Sequence, residues 1–217
     1  MGEEAIRTGA VSYVPCGHGD FDYVVLKRTL DVVGSAIGLA LLWPVMGLIG
    51  GVILVRSGRP AIIRQTRVGR RGRLFTLFKF RTLPRDALVE SDRCWASEAA
   101  DAWGRFLRAT GLDELPQLWN VLQGEMSLVG PRPERPHFAE RFGREMPRYP
   151  ARHALQVGIT GWAQVHGWRG DTSIARRVEH DLYYLENWSF ALDLRILWAT
   201  ALNLGRQIGR CIHAGSL

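Results

Sequence analysis

Between Val32 and Val55 the chain runs for 24 residues without a charged side chain. Crossing a bilayer as a helix takes about 20 predominantly apolar residues, so the run is long enough for a membrane segment. Pro44 sits near its centre with Gly47, Gly50 and Gly51 behind it. A proline inside a helix removes one hydrogen bond and bends the axis. Basic residues flank both ends, Lys27 and Arg28 before, Arg56 and Arg59 after. Lys and Arg gather on the cytoplasmic side of membrane segments, so both ends are expected on that side. A segment that enters one leaflet, breaks at Pro44 and returns meets both conditions. A kinked full span and a buried core helical hairpin are the alternatives.

The basic residues are unevenly placed. Lys27 and Lys79 are the only lysines among 28 basic side chains, and the net charge is +7. Ten of them (Arg56, Arg59, Arg64, Arg67, Arg70, Arg71, Arg73, Lys79, Arg81 and Arg85) fall in residues 56–85, which hold no Asp or Glu. That block exceeds the net charge, so the remainder of the chain is net negative. Directly after an apolar run, it suits anionic headgroups at about 1 kcal/mol per basic residue, or an anionic substrate. Arginine's planar fork matches phosphates and carboxylates, although genome composition produces the same bias.

Ala61–Gln65 and Arg73–Arg81 read as strands joined by Val68-Gly69-Arg70-Arg71-Gly72. The period of 2 puts Lys79 and Arg81 on one face, opposite Leu74, Thr76, Phe78 and Phe80. Two cations so placed either grip one diphosphate or sit on a solvated face. At 47% hydrophobic and 23% charged, 217 residues are globular and sufficient for one domain, with or without a membrane segment. Cys16, Cys94 and Cys211 are too few and too scattered for a disulfide framework or a zinc site, which points to a reducing compartment. Residues 1–20 show no periodicity and are expected to be a flexible N-terminus. The first 30 residues hold Glu3, Glu4, Asp20 and Asp22 and lack a signal-peptide core.

Leu112, Leu115, Leu118, Trp119 and Leu122 recur at helical spacing and Gly124 suits a stop. Pro116 belongs in a first turn, so the helix is expected to start near Asp113. Asp113 and Glu114 then either cap a helix and complement its dipole or do chemistry. A carboxylate can be a nucleophile towards phosphorus, and phosphoryl transfer needs cations on the developing oxyanions. Pro131 and Pro133 stiffen the backbone on both sides of Arg132, which fits a loop that aims one arginine at phosphate, or a plain surface turn.

Five segments occur in order: Gln65-Thr-Arg-Val-Gly69, Phe78-Lys-Phe-Arg-Thr82, Leu112-Asp-Glu-Leu-Pro-Gln117, Met126-Ser-Leu-Val-Gly-Pro-Arg-Pro133 and Gly158-Ile-Thr-Gly-Trp-Ala-Gln164. Together they resemble the bacterial sugar transferases known as monotopic phosphoglycosyl transferases, over roughly residues 24–204. The resemblance implies an α+β fold with a re-entrant membrane helix-break-helix at 21–56 turning at Pro44, and a cytosolic catalytic region at 57–205. A small β-sheet, several helices, some interfacial, and a basic tail at 206–217 complete it. It implies an enzyme that moves a sugar-1-phosphate from a UDP-sugar to undecaprenyl phosphate with Mg²⁺, releasing UMP, at the cytoplasmic face of the bacterial inner membrane. Asp113 falls on the nucleophile and metal-binding position and Glu114 on its assisting partner. Lys79, Arg81, Arg108, Arg132 and Gln164 fall on substrate-binding positions. Val165-His-Gly-Trp-Arg-Gly-Asp-Thr172 resembles the branch that uses UDP-glucose or UDP-galactose, with His166 and Trp168 either lining a sugar pocket or packing in a turn.

The chain departs from the family pattern at Leu83, where Met is usual, at Trp43, where a small polar residue precedes the proline, and at Val157, where Pro is common. Many relatives also carry an N-terminal region with four membrane helices, which this sequence does not match. The rival reading is a non-catalytic membrane anchor that holds lipid or polyanion through residues 56–85 and needs no acidic pair. Nucleic acid is not an expected partner, since no recognisable motif for it is present. A homodimer is compatible with the sequence.

Toward the C-terminus, Ile174–Asn187 reads as a helix on which Asp181 either reaches the site or pairs with a charge. Ser189 caps a last helix whose Phe190, Leu194, Leu197, Trp198 and Ala201 form a stripe suited to a membrane interface or to core.

Overall fold

A computed structural model of the chain describes residues 21–83 and 100–213. The N-terminus at 1–20, Arg85, Cys16, Cys94 and residues 214–217 lie outside the described residues. The fold mixes helices with two small sheets. Helix α1 (Phe21–Ser57) leads into an antiparallel hairpin of β1 (Ile62–Val68) and β2 (Leu74–Phe80). Helix α2 (Ala102–Thr110), a 3₁₀ turn at Leu112–Glu114, α3 (Gln117–Gln123) and β3 (Ser127–Val129) follow. Then come α4 (Pro136–Glu145), a 3₁₀ segment at Tyr149–His153, β4 (Gly158–Thr160) and α5 (Trp162–Val165). Two longer helices, α6 (Ile174–Glu186) and α7 (Phe190–His213), close the order. β3 and β4 pair in parallel.

α1 is one helix of 37 residues with Pro44 inside it, so its helical pairing is not interrupted where a break was expected. Proline withholds a single N–H while its neighbours keep theirs. Pro44 is also exposed, so no other segment wedges the helix open there. Along one face Lys27, Asp31, Ser35, Ile49 and Ile53 are buried, with Gly38, Leu42 and Met46 half-buried between them. This spacing of three and four keeps one stripe on the rest of the chain from end to end. The opposite face, including Leu41, Trp43 and Leu48, is bare. Only 11% of the most apolar stretch is buried, which sets aside a core hairpin. An apolar surface of this extent belongs in a membrane or against a partner.

The N-terminal flank of α1 does not point at headgroups. Lys27 is buried and donates to Asp193 Oδ2 at 2.7 Å and to the Val129 carbonyl at 3.0 Å. Tyr184 and Tyr23 also donate to Asp193. Asp31 accepts from Ser127 Oγ and the Leu128 N–H, so α1 holds β3 by two side chains. Arg28 donates to the Val121 and Leu122 carbonyls and closes the C-terminal end of α3, where a cation complements the dipole. At the other end Ile49 and Ile53 pack with Phe80 and Leu107.

In α7, Leu192 and Ile196 face the core, and of the predicted stripe Leu194, Trp198 and Ala201 are exposed while Leu197 packs on the core, so the stripe straddles surface and core. Its helix includes residues 206–213 of the expected basic tail. Ser189 Oγ accepts from the Leu192 N–H and starts that helix as the sequence suggests.

Lys27→Met would leave Asp193 buried without its cation. Losing one partner of a buried pair costs about 3–5 kcal/mol, and denaturant unfolding in detergent should show a loss of that size. A change below about 1 kcal/mol would mean that the tyrosines alone satisfy Asp193.

Candidate functional site

The acidic pair is delivered by a turn rather than by the helix start that Pro116 suggested. Gly111 ends α2 in the left-handed region at φ 71°, a conformation glycine adopts without strain. Asp113 and Glu114 follow in the 3₁₀ turn, and α3 begins only at Gln117. Asn120, fully buried on α3, ties this segment to β2: its amide donates to the Thr76 carbonyl at 2.7 Å and its oxygen accepts from the Phe78 N–H. The strand that carries Lys79 is thereby held beside the turn that carries Asp113.

A cavity of about 810 Å³ opens there. It gathers Asp113, Glu114, Lys79, Arg108, Arg132 and Gln164, six of the seven residues expected to act together. The seventh, Arg81, is elsewhere. It lies just past the end of β2, buried, and donates to the carbonyls of Ser57, Gly58 and Arg59 at the end of α1. Strand alternation stops at Phe80, so the face shared with Lys79 in the sequence is not shared in space. His166 and Trp168 also stay out of the cavity. His166 packs on Trp162 and His180, and Trp168 on His180, a turn-packing role.

The two adjacent carboxylates have opposite environments. Arg132 grips Glu114 with both terminal nitrogens, at 2.5 and 3.1 Å. Burial pushes the Glu114 carboxyl up, but the charge and hydrogen bonds of Arg132, with Lys79 behind, outweigh it and hold it below the usual range. No hydrogen bond reaches the Asp113 carboxylate among the described residues. Burial, reinforced by the Glu114 charge and only partly offset by Lys79, Arg132 and Arg108, raises it to about 7. Lys79 likewise makes no ion pair among the described residues. Burial lowers its ammonium to about 8, against the pull of Asp113. One carboxylate is locked and ionised; its neighbour is open and holds its proton more tightly than an ordinary carboxyl does.

Behind Arg132 stands a buried polar network. Arg152 donates to the Arg132 carbonyl at 2.9 Å and pairs with Asp181 at 2.6 Å, both side chains almost fully enclosed. Asp181 therefore pairs with a charge rather than reaching the site. Glu134 accepts from Arg177 at 3.0 Å and stands 3.8 Å from Arg67. Arg67 also donates to Gln65 and to the Pro133 carbonyl, and it lines the cavity. Sequence reasoning had no means to single out Glu134, Arg152 and Arg177. Arg67 carried a signal, being the centre of the segment Gln65–Gly69 within the basic block.

An oxygen-loving cation fits this donor set. Mg²⁺ is usually held by one or two carboxylates plus substrate phosphates, and Asp113 offers one open carboxylate facing the cavity. No cluster of three or more His, Cys, Asp or Glu among the described residues would form a cage of protein ligands alone.

The family described as bacterial sugar transferase matches residues 22–207. A UDP-N-acetylgalactosamine-undecaprenyl-phosphate N-acetylgalactosaminephosphotransferase of Aeromonas hydrophila is 39% identical over 82% of this chain and 43% of that protein. A UDP-glucose:undecaprenyl-phosphate glucose-1-phosphate transferase of Escherichia coli K12 is 40% identical over 81% of this chain and 39% of that protein. An undecaprenyl-phosphate galactose phosphotransferase of Salmonella typhimurium is 38% identical over 85% of this chain and 41% of that protein. The chain thus spans less than half the length of these relatives.

Glu114→Gln removes a negative charge beside Asp113. The Asp113 carboxyl should then titrate below about 7, because its second upward cause is gone and Arg132 is released to act on it. A ¹³C titration of the aspartate carboxyl carbons reads this directly, and an unmoved or raised value would contradict the geometry.

Proposed function

The chain belongs to the bacterial sugar transferase family, and from that premise we propose that it moves a hexose-1-phosphate from a UDP-sugar to undecaprenyl phosphate, releasing UMP. The observation that carries this reading is the asymmetric acidic pair: an unlocked Asp113 among cations, next to a Glu114 that is clamped by Arg132. In the first half-reaction an Asp113 oxygen attacks the sugar-bearing phosphorus. The bond from that phosphorus to the bridging oxygen breaks, and UMP departs with the electron pair. In the second, an oxygen of the lipid phosphate attacks the same phosphorus, the acyl phosphate bond breaks, and Asp113 is regenerated as carboxylate. Splitting the transfer into two displacements at one nucleophile is the use of covalent catalysis here.

Lys79, Arg108 and Arg132 supply positive charge for the phosphate oxygens, the main requirement of phosphoryl transfer. Glu114 positions Arg132, and its low pKa suits an ion-pair partner rather than an acid. Gln164 lines the cavity with its Nε2 held by the Ile159 carbonyl, on the side proposed for the uncharged part of the donor. Mg²⁺, held by Asp113 and the diphosphate, would neutralise charge as the reaction proceeds. The proposed donor is UDP-glucose or UDP-galactose, carried by the segment Val165–Thr172. The relatives above name three different sugars at nearly equal identity, so identity does not select among them.

The proposed setting is the cytoplasmic face of the inner membrane, with α1 confined to one leaflet and its axis bent at Pro44 without interruption of the helix. Contacts at both ends support this. Lys27 and Asp31 near the start of α1, and Ile53 with Ser57 near its end, all meet the same catalytic region. A straight span would carry one end away from it.

UMP release in nanodiscs with undecaprenyl phosphate, Mg²⁺ and a panel of UDP-sugars tests the reading. One donor should release UMP, and Asp113→Asn should lower the rate by about 10³-fold or more; a near-normal rate in that variant would exclude the covalent route. Attack needs the ionised carboxylate. With its pKa raised to about 7, kcat/KM for the donor should fall as pH drops through that value. A profile flat down to about pH 5 would mean that Asp113 is not the titrating group.

A further inference from the structure

Past Trp198, helix α7 turns a polar stripe to the cavity of Asp113. Thr200, Asn203 and Gln207 all line it, spaced by three and four along one helix face. Each is tied to a different wall. Thr200 and Thr160 of β4 share a hydrogen bond of 2.7 Å between their hydroxyls. Asn203 donates to the Val165 carbonyl at the end of α5 at 3.1 Å. Gln207 meets two walls at once: its amide donates to the Ala109 carbonyl in the last turn of α2 and accepts from Arg169 Nη2, both at 2.5 Å. That orientation of the amide is the one that satisfies both neighbours, since a carbonyl only accepts and a guanidinium only donates.

Arg169 is exposed and lines the cavity. Against burial, its charge joins those of Arg132 and Lys79 in holding the Glu114 carboxyl down. Its loop is soft: Gly167 and Gly170 flank it with φ of 86° and 66°, and glycine gives the backbone the most freedom. Among the described residues Gln207 supplies the side-chain hydrogen bond that holds the Arg169 guanidinium. An amide suits this task because it orders the arginine without cancelling its charge. We propose that Gln207 is a positioning residue of the transfer reaction, which holds Arg169 over the cavity to receive the diphosphate of the donor. The fork of arginine matches phosphate oxygens, and a side chain ordered beforehand loses less entropy on binding. The bridge to Ala109 fixes Arg169 against α2, the helix that carries Arg108. Gln207 lies in the stretch expected as a tail, so the site extends past 205, where the expected catalytic region ended. This inference rests on the reading that a UDP-sugar enters this cavity, and it adds a residue that prepares one of the cations for it.

The full chain in nanodiscs tests it, with polyprenyl phosphate and the UDP-sugar that the wild type turns over varied independently. Gln207→Met keeps the length of the side chain and removes both hydrogen bonds. The KM for the UDP-sugar should rise about tenfold, more than kcat falls, and the KM for polyprenyl phosphate should move far less. Gln207→Lys can still donate to Ala109, at a helix C-terminus that favours a cation, but it repels Arg169. It should raise the donor KM at least as much. A wild-type donor KM in Gln207→Lys would show that Gln207 serves α2 alone and overturn the proposal. In an Arg169→Ala background, Gln207→Met should add less than about twofold, because both act through one guanidinium. A further rise of about tenfold there would mean that Gln207 acts on its own account, and would overturn the proposal as well. A donor KM in Gln207→Met equal to that of the wild type, with wild-type UMP release intact, would overturn this inference alone. A wild type that releases no UMP from any donor would overturn the parent reading and this one with it.

Discussion

A single buried ammonium joins the parts of this protein that must work together. Lys27 sits in α1, yet its charge is neutralised by Asp193 in α7 and its remaining bonds reach the last residue of β3. Removing a cation from water is costly unless it is paired and hydrogen-bonded, so these three elements have one low-energy arrangement. β3 then runs through Gly130 and Pro131 to Arg132, whose guanidinium closes on Glu114. A chain of contacts therefore runs from the apolar helix to the acidic pair. Close backbone approach tightens it: a side chain on Gly158 would come within 2.1 Å of the Gly130 nitrogen.

The cavity itself is an exercise in unequal neutralisation. More cations than anions face it, and the anions are not shared evenly. Glu114 takes both terminal nitrogens of Arg132, and Glu134 engages Arg177 with Arg67 nearby. Among the described residues Asp113 is left with charges at a distance and no direct partner, so desolvation dominates and its carboxyl rises. Such a group is poised: an arriving diphosphate would meet cations prepared for it and a carboxylate not already committed. Arg152 and Asp181 contribute from below by holding the backbone of Arg132 rather than by touching the cavity.

The outer surface follows the same logic with apolar groups. Leu41, Trp43 and Leu48 on α1 and Trp198 on α7 are largely exposed, while the basic side chains Arg56 and Arg59 sit at the end of α1. Apolar faces bordered by cations and aromatic rings suit a membrane interface. The basic block thus divides into unlike parts. Lys79 and Arg67 turn into the cavity that holds Asp113, Arg81 closes the end of α1, and Arg64, Arg70 and Arg73 remain exposed.

What could be read from the residues alone was what depends on local backbone period. The apolar run, the hairpin strands to within a few residues, the helix from Ile174 and the helix capped by Ser189 all follow from local spacings and turn residues. Pro116 pointed to a helix start at the acids, whereas the helix began at Gln117 and the acids lie in a 3₁₀ turn before it. Tertiary structure decided the rest. It kept α1 helical through Pro44, because a proline costs one hydrogen bond and no neighbour forced a break. It separated Arg81 from Lys79, because alternation ends where the strand ends. It also chose which carboxylate is locked and which is open. That choice rests on the ion pair between Arg132 and Glu114, 18 positions apart. Its energy depends on distance and burial in the folded chain, and neither is a property of sequence spacing.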